Sequence, residues 1–121
     1  SISQVAAECA LTEDTSGIIR SNLEKFQQRR DLLLESLGAE KTLDPFRPSG
    51  AFYMFCGITE TGLDSLTFAK RLLEEKQVAV IPGGPFGEDG FVRISFATDL
   101  QTLGRGADRI REWVNTLEVQ K

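Results

Sequence analysis

One short run in the second half of the chain alternates strictly between two faces, and it limits the possible folds more than any other feature. Val92, Ile94 and Phe96 fall on one face, whereas Arg93 and Ser95 fall on the other. Because successive side chains of a β-strand point to opposite sides, the alternation predicts a strand with one buried face. Such a strand belongs to a sheet whose apolar face is covered by other elements.

Segments with helical spacing lie on both sides of this strand and supply that cover. We predict helices over residues 2–37 with a break at 12–17, from Asp64 onward and from Thr98 onward, strands over residues 51–56, 78–81 and 91–96, and a turn-rich connector over residues 44–50. This order predicts an α/β fold of the α+β type, a two-layer sandwich with a long N-terminal helix. Its small, mainly antiparallel sheet is covered by helices on one face.

The spacing also predicts how the helices end and which side chains face the core. Gly38 is expected to end the first helix in the left-handed conformation, and Thr98 with Gln101 to form a capping box at the start of the last. The expected core residues are Ile19, Leu23, Phe26, Leu33 and Leu37 in the first helix, Leu66, Ala69, Leu72 and Leu73 in the second, and Leu103, Ala107, Ile110, Val114 and Leu117 in the last.

The composition excludes several kinds of site. The 121 residues suit one domain and contain no histidine, which excludes a histidine-based triad and the usual zinc sites. The net charge of −4 argues against nucleic-acid binding, which requires a basic face. No apolar run is long enough to span a membrane. Cys9 and Cys56 are far apart, which predicts free thiols and a cytoplasmic location.

Arg93 is the first candidate for binding. A side chain in the middle of a strand is seldom free to swing into solvent. Its guanidinium group therefore either pairs with an internal acid or presents its planar fork to an external anion. The spacing by itself favours an internal ion pair or a solvated edge.

The loop from Pro82 to Gly87 is the second candidate. Its glycines would let a ligand approach the backbone closely, although it matches neither the GxxxxGK[ST] nor the GxGxxG phosphate-binding pattern. Its spacing by itself favours a turn between strands. Other residues are interpreted as structural: Phe52 and Tyr53 as core aromatics, and the pairs Glu74–Glu75 and Glu88–Asp89 as surface carboxylates.

Six segments, in order along the chain, carry motifs that together resemble a known family. They are Gln4–Ala7, Arg29–Asp31, Ser49–Phe55 with its "GAFY" core, residues 78–87 with the pattern V-x-V-x-P-G-x-x-F-G, and the "VRISFA" strand of residues 92–97, followed by Arg109–Ile110. They resemble class I and II aminotransferases of fold type I, the aspartate aminotransferase family. The resemblance implies that the chain is the C-terminal small domain of a pyridoxal-phosphate-dependent aminotransferase.

The resemblance implies a role for Arg93. In such enzymes the arginine of the corresponding strand binds the α-carboxylate of the amino-acid or 2-oxo-acid substrate. Phe86 and Gly84 would lie at the wall of the cleft between the two domains and border the substrate. The chain departs from the family at Gly84–Pro85, where small residues such as Ser-Ala are usual, so the resemblance does not imply the shape of that wall.

The resemblance also implies a missing large domain, joined by a helical segment over residues 1–37 to a small α/β domain over residues 38–121. The family's Schiff-base lysine stands in a serine-rich stretch of that large domain. The lysines here, in none of its contexts, are Lys25, Lys41, Lys70, Lys76 and Lys121. No catalytic and no cofactor-binding residue is therefore expected in this chain, which should be inactive alone. Pyridoxal phosphate would be bound by the large domain of a homodimeric enzyme.

Two other functions remain open. The order of elements is close to that of a ferredoxin-like domain, which many small-molecule-binding or regulatory modules share, and a fold by itself does not settle function. Other fold type I pyridoxal-phosphate enzymes, such as lyases and synthases, share the same small domain.

Overall fold

The computed structural model describes residues 1–117. They form a long helical N-terminal part followed by a small sheet with two further helices. The helices are α1 (Ile2–Thr12), α2 (Ser16–Gly38), α3 (Ser65–Lys76) and α4 (Leu100–Val114), and the strands are β1 (Asp44–Pro45), β2 (Tyr53–Gly57), β3 (Ile81–Pro82) and β4 (Phe91–Ser95).

The sheet is antiparallel throughout, in the order β1-β2-β4-β3. Helices α2, α3 and α4 cover the face that carries Met54, Cys56, Val92 and Ile94, which are all buried. The opposite face carries Arg93. The predicted fold class, with a small antiparallel sheet covered by helices on one face, is therefore confirmed.

The core under the helices confirms the predicted face of α4 and corrects two others. Leu33 and Leu37 of α2 are fully buried, but Ile19 and Leu23 are exposed. The buried side chains of α3 are Ser65, Phe68, Ala69 and Leu72, and those of α4 are Leu103, Ala107, Ile110, Trp113 and Val114. The prediction was wrong for Leu66 and Leu73, because Phe68 and Leu72, one turn apart, set the buried face of α3.

One strand is not predicted, and the other three differ from their predicted bounds. The connector after α2 contains strand β1, which pairs with β2 through Asp44 and Pro45. Strand β2 begins at Tyr53 rather than Ala51, because Ala51 has a left-handed backbone with φ of 61°. Strand β3 is confined to Ile81–Pro82. Proline, which cannot donate to a ladder, is tolerated in both places because β1 and β3 are edge strands.

Helix ends also differ from the predictions. Helix α2 ends at Gly38 as expected, but the next residue, Ala39, has a right-handed backbone, so no left-handed glycine ends it. Helix α4 is capped by Asp99 instead of Thr98: the Asp99 Oδ1 atom accepts a hydrogen bond from the Thr102 backbone N–H at 2.8 Å. Asp64 caps α3 in the same way through Thr67, as the sequence predicts.

The two cysteines give a first test of this fold. Both are free, as predicted; Cys9 is exposed and Cys56 is buried. Burial raises the pKa of the Cys56 thiol to about 12, which suppresses the reactive thiolate. We expect Ellman's reagent to label one thiol of the native chain rapidly and a second only after denaturation. Cys9→Ser should abolish the rapid phase, and rapid labelling of two native thiols would contradict the burial of β2.

Candidate functional site

Arg93 lies in the middle of the sheet on the face that the helices leave open. It pairs in register with Phe55 of β2 and Ile81 of β3, and its side chain is half-buried. Its guanidinium carbon Cζ lies 4.7 Å from the centroid of the Tyr53 ring and 4.9 Å from that of the Phe86 ring. Both distances lie within the range of cation–π attraction. The fold therefore holds this cation against two aromatic rings.

The Arg93 guanidinium group has no acidic partner among residues 1–117. No carboxylate oxygen in that part of the chain lies within salt-bridge distance of its nitrogens. Its N–H groups donate no hydrogen bond to a protein acceptor there. The spacing alone favoured an internal ion pair or a solvated edge, and the ion pair is not formed in the described structure. The five N–H donors are left for water or a bound anion.

The two rings beside Arg93 are themselves supported by aromatic neighbours. Phe86 makes an edge-to-face contact with Phe55, with centroids 5.9 Å apart, and Tyr53 makes one with Phe52 at 5.5 Å. The interpretation of Phe52 as a core aromatic was wrong, because its side chain is exposed, and Tyr53 is only half-buried. Tyr53 is the first residue of the strand that borders Arg93, and Phe52 directly precedes that strand, which accounts for the aromatic surroundings of the cation.

The loop after β3 positions Phe86 through tight backbone geometry. The Gly83 N–H donates to the Phe91 carbonyl at 2.9 Å, and the Phe86 N–H donates to the Gly83 carbonyl at 2.8 Å. A Cβ atom at position 83 would collide with the backbone oxygens of Glu88 and Phe91. Gly87 closes the turn with a left-handed φ of 86°, which favours glycine. The loop is therefore a fixed support for Phe86.

Helix α3 holds the same loop from its other side. Ser65, fully buried at the start of α3, donates its hydroxyl to Asp89 Oδ1 at 2.6 Å and accepts the Gly84 N–H at 3.1 Å. The Gly84 N–H thus holds the loop to α3. The aromatic contact that the loop makes with Arg93 involves Phe86 rather than Gly84. The prediction of Asp89 as a surface carboxylate is confirmed, because Asp89 is exposed, but the sequence analysis missed Ser65 and its hydrogen bond to Asp89. No pattern in the sequence marks this serine, because its burial follows from the fold.

The remaining candidates do not form a second site. Glu75 accepts hydrogen bonds from Arg71 and from the Trp113 indole, and these lower its pKa, whereas a general acid needs a raised one. Among residues 1–117, no cluster of three potential metal ligands is found, and no helix is both long and apolar enough to cross a membrane. The described lysines are Lys25, Lys41, Lys70 and Lys76, none of them buried; Lys121 lies outside the described residues.

A crevice of about 380 Å³ lies along α4 and the segment that precedes β3, and Arg93 does not line it. Its two guanidinium groups are already engaged: Arg109 donates to the Lys76 carbonyl at 3.4 Å, and Arg105 to the Thr102 hydroxyl at 3.3 Å. Internal acceptors thus already occupy donors of both arginines. We therefore place the candidate site at Arg93.

The chain resembles known proteins over almost its whole length. It is 42% identical to the probable aspartate/prephenate aminotransferase of Rickettsia prowazekii, covering 97% of this chain and 32% of that protein. It is 41% identical to the probable N-acetyl-LL-diaminopimelate aminotransferase of Bacillus subtilis, covering 94% and 29%. The crystal structure of the aspartate aminotransferase from Rhizobium meliloti superposes with a TM-score of 0.90 at 35% identity, covering 97% and 32%.

These relatives are much longer than this chain, which spans about a third of their length. The family model described as aminotransferase class I and II matches residues 1–110, which include α1 to α3, the sheet and most of α4. The matched range contains Arg93, both rings beside it and the loop that supports Phe86. The chain belongs to the class I and II aminotransferase family, of which it covers the C-terminal part.

Proposed function

We propose that the full-length enzyme transfers an amino group between an amino acid and a 2-oxo acid, and that this chain supplies Arg93 to bind the substrate α-carboxylate. One observation carries the assignment: a guanidinium group in the middle of the sheet, on its open face, lacks an acidic partner among residues 1–117. A planar guanidinium fork matches a carboxylate with two parallel hydrogen bonds.

The contribution of Arg93 would be orientation. Two hydrogen bonds fix both the position and the plane of a carboxylate, so the bond that reacts at the neighbouring carbon is presented in one direction. Charge-assisted hydrogen bonds of this kind are worth about 1.5–3 kcal/mol each. The rings of Tyr53 and Phe86 cover part of the half-buried Arg93 side chain, and a partly desolvated guanidinium group would form stronger hydrogen bonds with a carboxylate.

We infer that residues 1–37 connect the small domain of this chain to a large domain of the full-length enzyme. Helix α1 buries none of its side chains, and apolar residues of α1 and of the first half of α2 are exposed; they include Ile2, Val5, Leu11, Ile18, Ile19 and Leu23. An exposed apolar surface of this extent is typical of an interface. The last turns of α2 differ, because Leu33 and Leu37 belong to the core beside α4. The small domain, proposed as residues 38–121, would therefore pack against the end of this segment through Leu33 and Leu37.

Pyridoxal phosphate, which the family uses, would be held by the large domain. The described residues do not fit its covalent site, because Lys25, Lys41 and Lys70 are exposed and Lys76, half-buried, faces Glu112 at 3.9 Å. A cofactor-binding lysine requires a sheltered position that lowers its pKa. A substrate bound by Arg93 would thus reach the cofactor only in the assembled enzyme, which we propose is a cytoplasmic homodimer.

The isolated chain should therefore be inactive. With added pyridoxal phosphate, an amino acid and 2-oxoglutarate, we expect no glutamate formation above the rate without protein, and no protein-dependent change in cofactor absorbance. The full-length enzyme under the same conditions is the positive control. Turnover by the chain alone would contradict the placement of the cofactor site outside it.

The reaction of the full-length enzyme separates this proposal from its alternatives. Amino-acid consumption that requires 2-oxoglutarate and yields stoichiometric glutamate supports an aminotransferase. Consumption without a 2-oxo acid supports a lyase or a synthase instead. Calorimetric titration of the isolated chain with amino acids tests the regulatory-domain alternative, which requires saturable binding by the chain alone.

A further inference from the structure

We propose that Tyr53 and Phe86 are positioning residues that form an aromatic clamp around Arg93 and fix the direction in which its N–H donors point. This inference rests on the proposed function, since it concerns how Arg93 presents itself to a carboxylate. The clamp would make the site select planar carboxylates, which meet the guanidinium edge with two parallel hydrogen bonds. Neither ring is assigned a chemical step.

The clamp is assembled from two separate elements. Tyr53 lies on β2 opposite Ser95, one diagonal step from Arg93, whereas Phe86 reaches Arg93 from the loop after β3. The guanidinium carbon lies within 5 Å of both ring centroids, at 4.7 and 4.9 Å. Each ring also has an edge-to-face support, from Phe52 and from Phe55 respectively. The side chain is thus held from two directions.

Aromatic rings suit this task better than a carboxylate would. A carboxylate partner would accept the N–H groups and neutralise the charge, so Arg93 would lose the donors that an external anion needs. A ring attracts the cation through its quadrupole and leaves the in-plane N–H groups unoccupied. Arginine has many rotamers, so holding it in place before binding removes an ordering cost that the substrate would otherwise bear.

The loop supporting Phe86 indicates that this ring is placed accurately. Phe86 itself is about half exposed, at 49%, yet its loop is held by Gly83, where a side chain would collide with backbone, and by the Ser65–Asp89–Gly84 hydrogen bonds. An exposed ring contributes little to stability through burial. The contact with Arg93 therefore explains better why the loop beneath Phe86 is held so firmly.

The test uses the full-length enzyme with Tyr53→Leu and Phe86→Leu, which remove each ring, and Tyr53→Phe and Phe86→Tyr, which keep it. We expect each leucine variant to raise the KM for the amino acid about 5- to 30-fold, with kcat changed less than about threefold. Both ring-retaining variants should stay within about twofold of wild type. Unchanged KM in Phe86→Leu, an exposed loop variant that should fold, would overturn the clamp.

Repeating the ring substitutions in the Arg93→Ala variant separates a positioning role of the rings from a general structural role. In Arg93→Ala, removing either ring should raise KM no further, because the rings act only through the guanidinium group. An equal rise in both backgrounds would overturn the clamp while leaving the role of Arg93 intact. If Arg93→Ala by itself leaves KM unchanged, the proposed function fails first, and the clamp fails with it.

Discussion

Replacing Arg93 with alanine in the full-length enzyme should lower kcat/KM for the amino acid about 100- to 1,000-fold. The expected loss corresponds to about 3–4 kcal/mol, which is the lower part of the range for two charge-assisted hydrogen bonds and allows for the half-exposed position of the side chain. Steady-state kinetics with varied amino acid measures it. The absorbance of the bound cofactor should not change, because Arg93 is not expected to contact it.

Arg93→Lys is the matched control. Lysine keeps the positive charge but lacks the planar fork, so it should restore part of the attraction without the two parallel hydrogen bonds. We expect kcat/KM between the values for wild type and Arg93→Ala. Equal kinetics for wild type and Arg93→Ala would contradict the substrate contact.

The largest expected effect on folding is that of Trp113→Ala, which should lower the free energy of unfolding by about 3–5 kcal/mol. Trp113 of α4 is 1% exposed, lies edge-on to Phe68 with ring centroids 4.9 Å apart, and donates its indole N–H to Glu75 Oε2 at 2.7 Å. Alanine would leave a cavity between α3 and α4. Since a small domain is stable by only about 5–15 kcal/mol, this loss should bring the chain close to unfolding.

Urea unfolding of the chain, followed by circular dichroism, measures the Trp113 effect. Leu66→Ala is the control, because Leu66 lies on the exposed side of α3 and its truncation should cost no more than about 0.5 kcal/mol. A Leu66 effect as large as that of Trp113 would contradict the observed face of α3. It would instead support the face predicted from the spacing, on which Leu66 is buried.

The sequence predicts most reliably the elements whose pattern is local. The alternation around Arg93 predicts β4 and its buried face correctly, because strand periodicity requires no knowledge of the neighbours. The core face of α4 follows in the same way from helical spacing. Strand β1 is missed because Asp44 and Pro45 resemble a turn, and only pairing with β2 makes them a strand. The face of α3 is misjudged because leucines occur on both sides of it.

The candidate site is only half predictable, for a similar reason. Arg93 stands out in the sequence because an arginine inside an apolar strand requires an explanation. Its surroundings depend on residues far away in sequence: Tyr53 comes from another strand, and Phe86 comes from a loop held by Ser65 and Asp89. The spacing favoured an acidic partner or a solvated edge, whereas tertiary packing supplies aromatic rings. Contacts of this kind arise from the fold and leave no periodic signal.

The central claim is that Arg93 recognises a carboxylate, and substrate pairs that differ only in that group test it most directly. The ratio of kcat/KM for an amino acid to that for the corresponding amine, which lacks the carboxylate, should be measured in the wild-type enzyme and in Arg93→Ala. We predict that the wild type prefers the amino acid by at least about 100-fold and that the variant loses most of this preference. The same ratio in both enzymes would contradict the claim.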